Sequence, residues 1–374
     1  MTGRRVLALV TDAYGAGGGI AQYNRDLFQA LSTCEDVGQV LVLARHGKPS
    51  ADRLPVKVQQ IGVKPGRLAY SYRALRAIAR QGPVHVIFCG HLFMAPLAAI
   101  LAKRTGASLW LQIHGIEAWH RPNRFQRWAA ERAQLITAVS RYTRRLFLGW
   151  ANCSPETVKV LPNTVDERFS PGPKPRALLD RHGLGGKKVL LTVSRLAAAE
   201  RYKGHDLVIR ALVGLGASHP DLVYVVAGDG DDRNRLQQLA AALGVAERVR
   251  FVGYVPEGEL PELYRTADVF VMPSAGEGFG IVFLQALASG LPVIGGDGDG
   301  SRDPLRDGHD GCLVAPGHLE GLQAAIAKAM AQGRTRGSAD AFARDRFEAA
   351  VGALVERLAA ETPFPTAAEK QRTF

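Results

Sequence analysis

The chain has 374 residues, too many for one ordinary core and a fit for two α/β domains, and with 47% hydrophobic and 22% charged residues each domain can bury a sizeable core. No apolar run reaches the ~18–20 residues of a membrane span, and Val6–Val10 is too short for a signal peptide, so a cytoplasmic protein is expected, at most attached to the inner face of the cell membrane. The net charge of +12 is uneven: residues 1–170 hold 23 Lys and Arg against 10 Asp and Glu, and residues 171–374 hold 24 against 25, which suits an anionic partner for the first half alone.

In chain order, Val6–Val10, Val40–Leu43, Val84–Phe88, Leu109–Ile113, Leu135–Val139 and Val158–Leu161 read as strands. Residues 20–31, 68–80, 92–103, 123–133 and 141–149 between them carry helical spacing. This alternation implies a parallel sheet covered on both faces. Pro162-Asn163-Thr164-Val165-Asp166 and the prolines and glycines from Pro171 to Gly186 mark a linker, placing the domains at 1–168 and 169–344. The alternation resumes with strands at Val189–Val193, Leu222–Ala227, Val249–Val252, Val269–Met272, Pro292–Ile294 and Cys312–Val314. Helices follow at 204–215, 232–243, 258–266, 279–289 and 318–331, and a last one covers about 341–360. The tail from Thr362 is expected to fray. Cys34, Cys89, Cys153 and Cys312 form no CxxC pair or zinc spacing and read as idle thiols in a reducing compartment.

Open α/β sheets bind ligands where strand carboxyl ends meet helix N-termini. After the first strand, Thr11 to Gly19 is glycine-rich and opens a helix, where free N–H groups and a positive dipole end suit a phosphate. The spacing is neither GxGxxG, since Gln22 stands at the third position, nor a Walker loop, and a plain tight turn fits equally. In the second half, Arg195 at a strand end and Lys203 at the next helix start can converge on a diphosphate and stabilise it as it leaves, without a metal. A pair of surface cations is the plainer alternative. Glu277 sits between glycines at a strand-to-helix turn, followed by an exposed Phe279, with Gly280, Ile281 and Val282 offering backbone N–H groups and Gln285 one turn further. Asp297-Gly298-Asp299 has the spacing of a divalent-cation pair, but its glycine-rich setting favours an ordinary turn.

Gly18-Gly19, Ser194-Arg195, Lys203-Gly204, Ala227-Gly228-Asp229-Gly230, Glu277-Gly278-Phe279-Gly280 and Leu284-Gln285-Ala286 together resemble the retaining GT-B glycosyltransferases of family four, in order and spacing, from residue 5 to about 331. The resemblance implies two Rossmann-like domains facing across a deep cleft, with the C-terminal helix at about 345–360 crossing back to the N-terminal domain. It implies that Gly18 and Gly19 approach the donor diphosphate, that Arg195 and Lys203 bind it, and that Glu277 contacts the transferred sugar. It also makes His114 the histidine near the sugar, Asn163 the junction asparagine, and Gly253 and Tyr254 the base-contacting segment. The pattern Glu-x7-Glu is broken by Gln285, which leaves one acceptor and one donor group where the family holds the ribose with a carboxylate. The implied mechanism needs no metal and no cofactor beyond the nucleotide-sugar donor.

Glu200 to Asp206 and Gly298 to Asp303 are similar to bacterial mannosyltransferases that build lipid-linked exopolysaccharide from GDP-mannose. That implies an α-mannosyltransferase acting on a polyprenyl-diphosphate-linked acceptor; a UDP-sugar donor and a non-hydrolysing sugar-nucleotide epimerase are the alternatives. Arg67, Arg73, Arg76 and Arg80 on a helix with Leu68, Tyr72, Leu75 and Ile78, then Arg121, Arg124, Arg127, Arg141, Arg144 and Arg145, suit docking to an anionic membrane surface. A solvated surface face is the commoner meaning of such runs. No recognised nucleic-acid module accompanies this charge.

Overall fold

The computed structural model describes residues 3–15, 17–46, 54–62, 66–335 and 339–361, so the tail from Thr362 lies outside the described residues. The chain divides into two compact units, one of Met1–Pro162 with the segment from Arg344, the other of Asn163–Ala343.

The first unit is built on β1 (Arg4–Val10), β2 (Val37–Ala44), β3 (Val58–Ile61), β4 (Val86–Cys89), β5 (Ser108–Ile113), β6 (Leu135–Ala138) and β7 (Val158–Val160). All pairs are parallel, in the order β3-β2-β1-β4-β5-β6-β7. The strand β3 has no counterpart in the apolar pattern, because Val58-Gln59-Gln60-Ile61 pairs on one side only and leaves Gln59 in water. The middles of the central strands are apolar: Val6 to Val10 and Leu109 to Leu111 are buried. Phe88 lies edge-on to Phe28 at 6.0 Å and to Trp110 at 5.4 Å, joining helix Gly19–Thr33 to the sheet. The C-terminal helix Arg344–Glu361 packs on helix Gly19–Thr33 through Phe347 against Tyr23 at 6.1 Å, with Val351, Val355 and Leu358 buried. An Arg344–Asp26 ion pair at 3.4 Å adds to this contact.

The second unit holds β8 (Lys188–Val193), β9 (Leu222–Ala227), β10 (Val249–Gly253), β11 (Val269–Met272), β12 (Val293–Gly296) and β13 (Cys312–Val314). They form a parallel sheet in the order β10-β9-β8-β11-β12-β13. Both sheets therefore reverse direction of growth once, at β1/β4 and at β8/β11. At such a switch point the carboxyl ends of the two strands leave a crevice for a ligand.

The division falls at Pro162–Asn163 rather than at residue 168, because the following residues pack into the second unit. Thr164 donates to the Phe342 carbonyl at 2.8 Å, and Phe169 lies edge-on to Tyr264 at 5.5 Å. The stretch read as linker also contains a short helix, Arg176–His182, ended by Gly183 in the left-handed conformation.

Phe88→Ala should cost about 3–5 kcal/mol, because it leaves a void between two aromatic rings. Urea denaturation followed by far-UV circular dichroism checks this; a change below about 1 kcal/mol would contradict the packing.

Candidate active site

The second unit brings its chemistry to the β8/β11 switch. β8 runs into Ser194-Arg195, a 3-10 segment Ala198–Lys203 follows, and Gly204 opens helix His205–Gly214. β11 runs into the loop from Pro273 to Gly280. These two loops are pressed together: Ala275 N–H donates to the Tyr202 carbonyl at 2.8 Å. Two glycines permit the contact. Gly204 has φ +81°, and a Cβ there would meet the Pro273 carbonyl oxygen at 2.6 Å. A Cβ on Gly276 would meet the Tyr202 ring at 2.7 Å.

The result is a chain of charges. Lys203 Nζ lies 3.4 Å from Glu277 Oε1 and 3.3 Å from Glu200 Oε2. Arg195 Nη2 donates to Glu200 Oε1. Three of the predicted site residues, Arg195, Lys203 and Glu277, are thus brought together, with Glu200 linking the cations. Burial raises the Glu277 pKa, the negative charges of Asp299 and Glu200 add to the rise, and Lys203 opposes it. Glu277 is also fixed by its backbone: its N–H donates to Asp299 Oδ2 at 2.6 Å and its carbonyl accepts from Gly300 N–H at 2.8 Å.

Asp299 is buried and spent on the loop. It accepts from the Ser274 hydroxyl at 2.7 Å and from Ser301 N–H at 2.9 Å besides Glu277 N–H. Asp297 pairs with Arg302 at 2.7 Å. These are the bonds of a turn, and among the described residues no group of three His, Cys, Asp or Glu gathers as metal ligands.

Phe279 corrects an expectation: its side chain is 3% exposed and lies edge-on to Phe342 at 5.7 Å, so it anchors the loop instead of facing a ligand. Gly280, in the left-handed region at φ +85°, heads helix Ile281–Ala288, whose first turn no side chain caps, so Ile281 and Val282 keep backbone N–H groups for an anion. Gln285 Oε1 accepts from the Tyr264 hydroxyl at 2.9 Å, a bond a carboxylate would also accept. Gly253 ends the edge strand β10; its carbonyl accepts from Gly228 N–H at 2.8 Å, while Tyr254 is exposed.

His205 carries no site role in the sequence reading, yet it underlies the whole loop. Thr192 donates to the Val271 carbonyl, and Tyr224 donates to Thr192 at 2.9 Å. Tyr224 can then only accept from His205 Nδ1 at 2.8 Å, which leaves Nε2 to accept from the Ser194 hydroxyl at 2.9 Å. This buried relay ties the end of β8 to the helix behind Lys203. Its one sequence signal is a polar residue directly after Lys203-Gly204.

In the first unit, Gly18, at φ +100°, precedes helix Gly19–Thr33, and no side chain caps that helix. Gln60 of β3 braces the loop by accepting from Tyr14 N–H at 3.2 Å and donating to its carbonyl at 2.9 Å. His114, at the end of β5, donates from Nε2 to the Gly90 carbonyl at 3.0 Å after β4, and meets the Tyr23 ring edge at 5.1 Å. Asn163, read as the junction asparagine, is buried. These residues surround the β1/β4 switch, apart from Asn163, which belongs to the second unit.

Burial holds His114 and His205 at about 4, below the ordinary 6.5. The unfolded chain takes up those protons first as pH falls, so their contribution is fully present above about pH 6.5 and is lost towards about pH 4. Denaturant titrations at about pH 7 and about pH 5 should show lower stability at the acid value, and His205→Phe should show a smaller drop. An equal drop in both proteins would contradict the burial of a neutral His205.

Residues 17–169 match the family Glycosyltransferase Family 4, and residues 178–346 match Glycosyl transferases group 1. The GDP-mannose-dependent alpha-(1-6)-phosphatidylinositol monomannoside mannosyltransferase of Mycolicibacterium smegmatis is 37% identical over 64% of this chain and 66% of its own length. The Mycobacterium tuberculosis enzyme of the same name is 32% identical over 68% of this chain and 69% of its own length. The crystal structure of Anabaena HepE in complex with UDP-glucose superposes with a TM-score of 0.78 at 21% identity, covering 94% of this chain and 99% of that one, which shows the GT-B fold. With both halves matched in order and the two switch points furnished as described, the chain belongs to the GT-B glycosyltransferases, with a family four N-terminal half and a group 1 C-terminal half.

Proposed function

We propose that the protein is a retaining α-mannosyltransferase that moves mannose from GDP-mannose to a lipid-linked glycan at an anionic membrane surface, in polysaccharide biosynthesis. The observation that carries the donor half is the Arg195–Glu200–Lys203–Glu277 charge chain at the β8/β11 switch. GDP-mannose is favoured by the names of the two mycobacterial relatives, whose named acceptor, a phosphatidylinositol monomannoside, is itself a lipid-borne mannoside.

In this reading Arg195 and Lys203 hold the diphosphate, and Ile281 and Val282 add backbone N–H groups. The bond from the sugar's anomeric carbon to the phosphate oxygen breaks as the acceptor oxygen bonds to that carbon from the same face. The acceptor proton passes to the departing phosphate oxygen, so no separate general base, metal or cofactor is required. The protein contributes positioning and charge stabilisation. Glu277 contacts the sugar hydroxyls, Gly18 and Gly19 approach the diphosphate, and His114 serves as an uncharged hydrogen-bonding group near the sugar. Gly253 and Tyr254 meet the base, and Gln285 meets the ribose.

The acceptor half rests on helix Arg67–Gln81 of the first unit. Its buried face is Tyr70, Ala74 and Ala77, with Ile78 packed partly against the core. A second apolar stripe, Leu68 at 88%, Tyr72 at 61% and Leu75 at 43% exposure, stays in water on the opposite side. Arg73, Arg76 and Arg80 flank it, as in a helix that lies in a lipid headgroup layer. Arg121 and Arg127 line a cavity of about 460 Å³ with Trp150, and Arg124 lies over the exposed Phe125 ring at 4.7 Å. Arg144 is different: it holds the Val158 and Pro155 carbonyls at 2.8 and 2.9 Å and is structural. Among the described residues no helix is long and apolar enough to cross a membrane.

With GDP-mannose as donor, Lys203→Ala and Glu277→Ala should each lower turnover at least about tenfold, whereas Gln285→Glu should stay within about tenfold. Wild-type rates in both alanine variants, or transfer from UDP-sugars alone, would overturn the donor assignment. In vesicle flotation the protein should rise with anionic vesicles and not with neutral ones, and Leu68→Ser with Leu75→Ser should reduce that binding about tenfold. Equal weak binding to both vesicle types would remove the membrane part of the proposal.

A further inference from the structure

Glu200 has no place in the mechanism above, yet its carboxylate stands on both cations assigned to the diphosphate. Oε1 accepts from Arg195 Nη2, and Oε2 lies 3.3 Å from Lys203 Nζ. The Glu200 side chain is 13% exposed, and its Oε2 is buried without a hydrogen bond among the described residues. The Arg195 side chain, by contrast, is 77% exposed.

Charge makes this arrangement informative. Two cations, Arg195 and Lys203, face two carboxylates, Glu200 and Glu277, with a third, Asp299, behind Glu277, so the cluster holds no spare positive charge. A diphosphate would add negative charge to side chains that have no positive charge to spare. A carboxylate and a phosphate also present the same fork of oxygens to a guanidinium and an ammonium. Two such anions on the same pair of cations repel one another strongly in a partly buried site. The backbones that carry the two carboxylates are held differently. Glu277 is fixed through its N–H to Asp299 and its carbonyl to Gly300 N–H. Glu200 sits in the 3-10 segment Ala198–Lys203, breaks its regularity with φ −114° and ψ 25°, and follows two exposed alanines, Ala198 and Ala199.

We propose that Glu200 is an internal stand-in for the donor diphosphate. It holds Arg195 and Lys203 in position, yields them to an incoming nucleoside diphosphate, and re-forms its pairs as the nucleoside diphosphate product leaves. This rests on the assignment of Arg195 and Lys203 to the diphosphate. The same side chain then weakens donor binding and speeds product release.

The test is isothermal titration calorimetry on the full chain, with whichever of GDP and UDP the wild type binds more tightly and with the matching nucleoside. Glu200→Gln keeps the shape and removes the competing charge. It should tighten the nucleoside diphosphate by about tenfold and leave the nucleoside within about twofold. Donor KM and kcat should both fall, because the product leaves more slowly. Glu200→Ala is the second variant and should shift binding in the same direction. If Glu200 instead serves as a fixed template for the cations, both variants bind the diphosphate more weakly or unchanged, and the proposal is wrong. Lys203→Ala separates the two levels. If it weakens the diphosphate while the Glu200 variants do not tighten it, the stand-in role alone fails. If Lys203→Ala binds the diphosphate like wild type, the site assignment fails and the stand-in role with it.

Discussion

A single ammonium group, that of Lys203, organises the second unit's carboxyl edge. It lies between two carboxylates that come from different loops, Glu200 on its own segment and Glu277 after β11. At these separations each attraction is about 5 kcal/mol at an effective dielectric near 20, and desolvating each partly buried ion offsets several kcal/mol. The net contribution to stability is therefore small. The array makes sense as a preorganised set of charges for a ligand that brings its own. Everything around it serves to hold it: Gly204 and Gly276 let the two loops touch, Asp299 fixes the Glu277 backbone, and the Ser194–His205–Tyr224–Thr192 relay pins the strand end to the helix behind Lys203.

The fold was largely legible because buried parallel strands are continuous apolar runs, and such runs stand out in a linear sequence. What escaped was whatever depended on partners far along the chain. β3 is an edge strand with a polar centre whose Gln60 braces a loop from residues distant in sequence. Tyr224 reads as one more apolar strand residue until its hydroxyl is found between Thr192 and His205. Glu200 enters the sequence reading only as the first residue of the segment to Asp206, since nothing local says that its carboxylate folds back onto Arg195. Arg195, Lys203 and Glu277 were legible because each sits at a strand end or helix start, where a ligand-facing role follows from topology. Phe279 shows the converse error. Flanking glycines suggested exposure, while the packing partner, Phe342, lies at the far end of the same unit's sequence.

The two units divide the chemistry in proportion to their charge. The second is nearly neutral overall, yet concentrates a set of paired ions at one switch point. The first carries the excess of arginine, and the structure sorts that excess by role. Arg144 is bonded to carbonyls and supports the fold, whereas Arg73, Arg76 and Arg80 border an apolar stripe that faces water. A helix with one apolar face in the core and another outside has been left with surface to bury. The anionic membrane surface proposed above would cover that surface.

The most direct measurement of the central claim is a crystal structure of the protein soaked with GDP. The account predicts the β-phosphate within hydrogen-bond distance of Lys203 Nζ and the Arg195 guanidinium, at the carboxyl ends of β8 and β11. A diphosphate seated elsewhere, with the Lys203–Glu200 and Lys203–Glu277 pairs undisturbed, would contradict it.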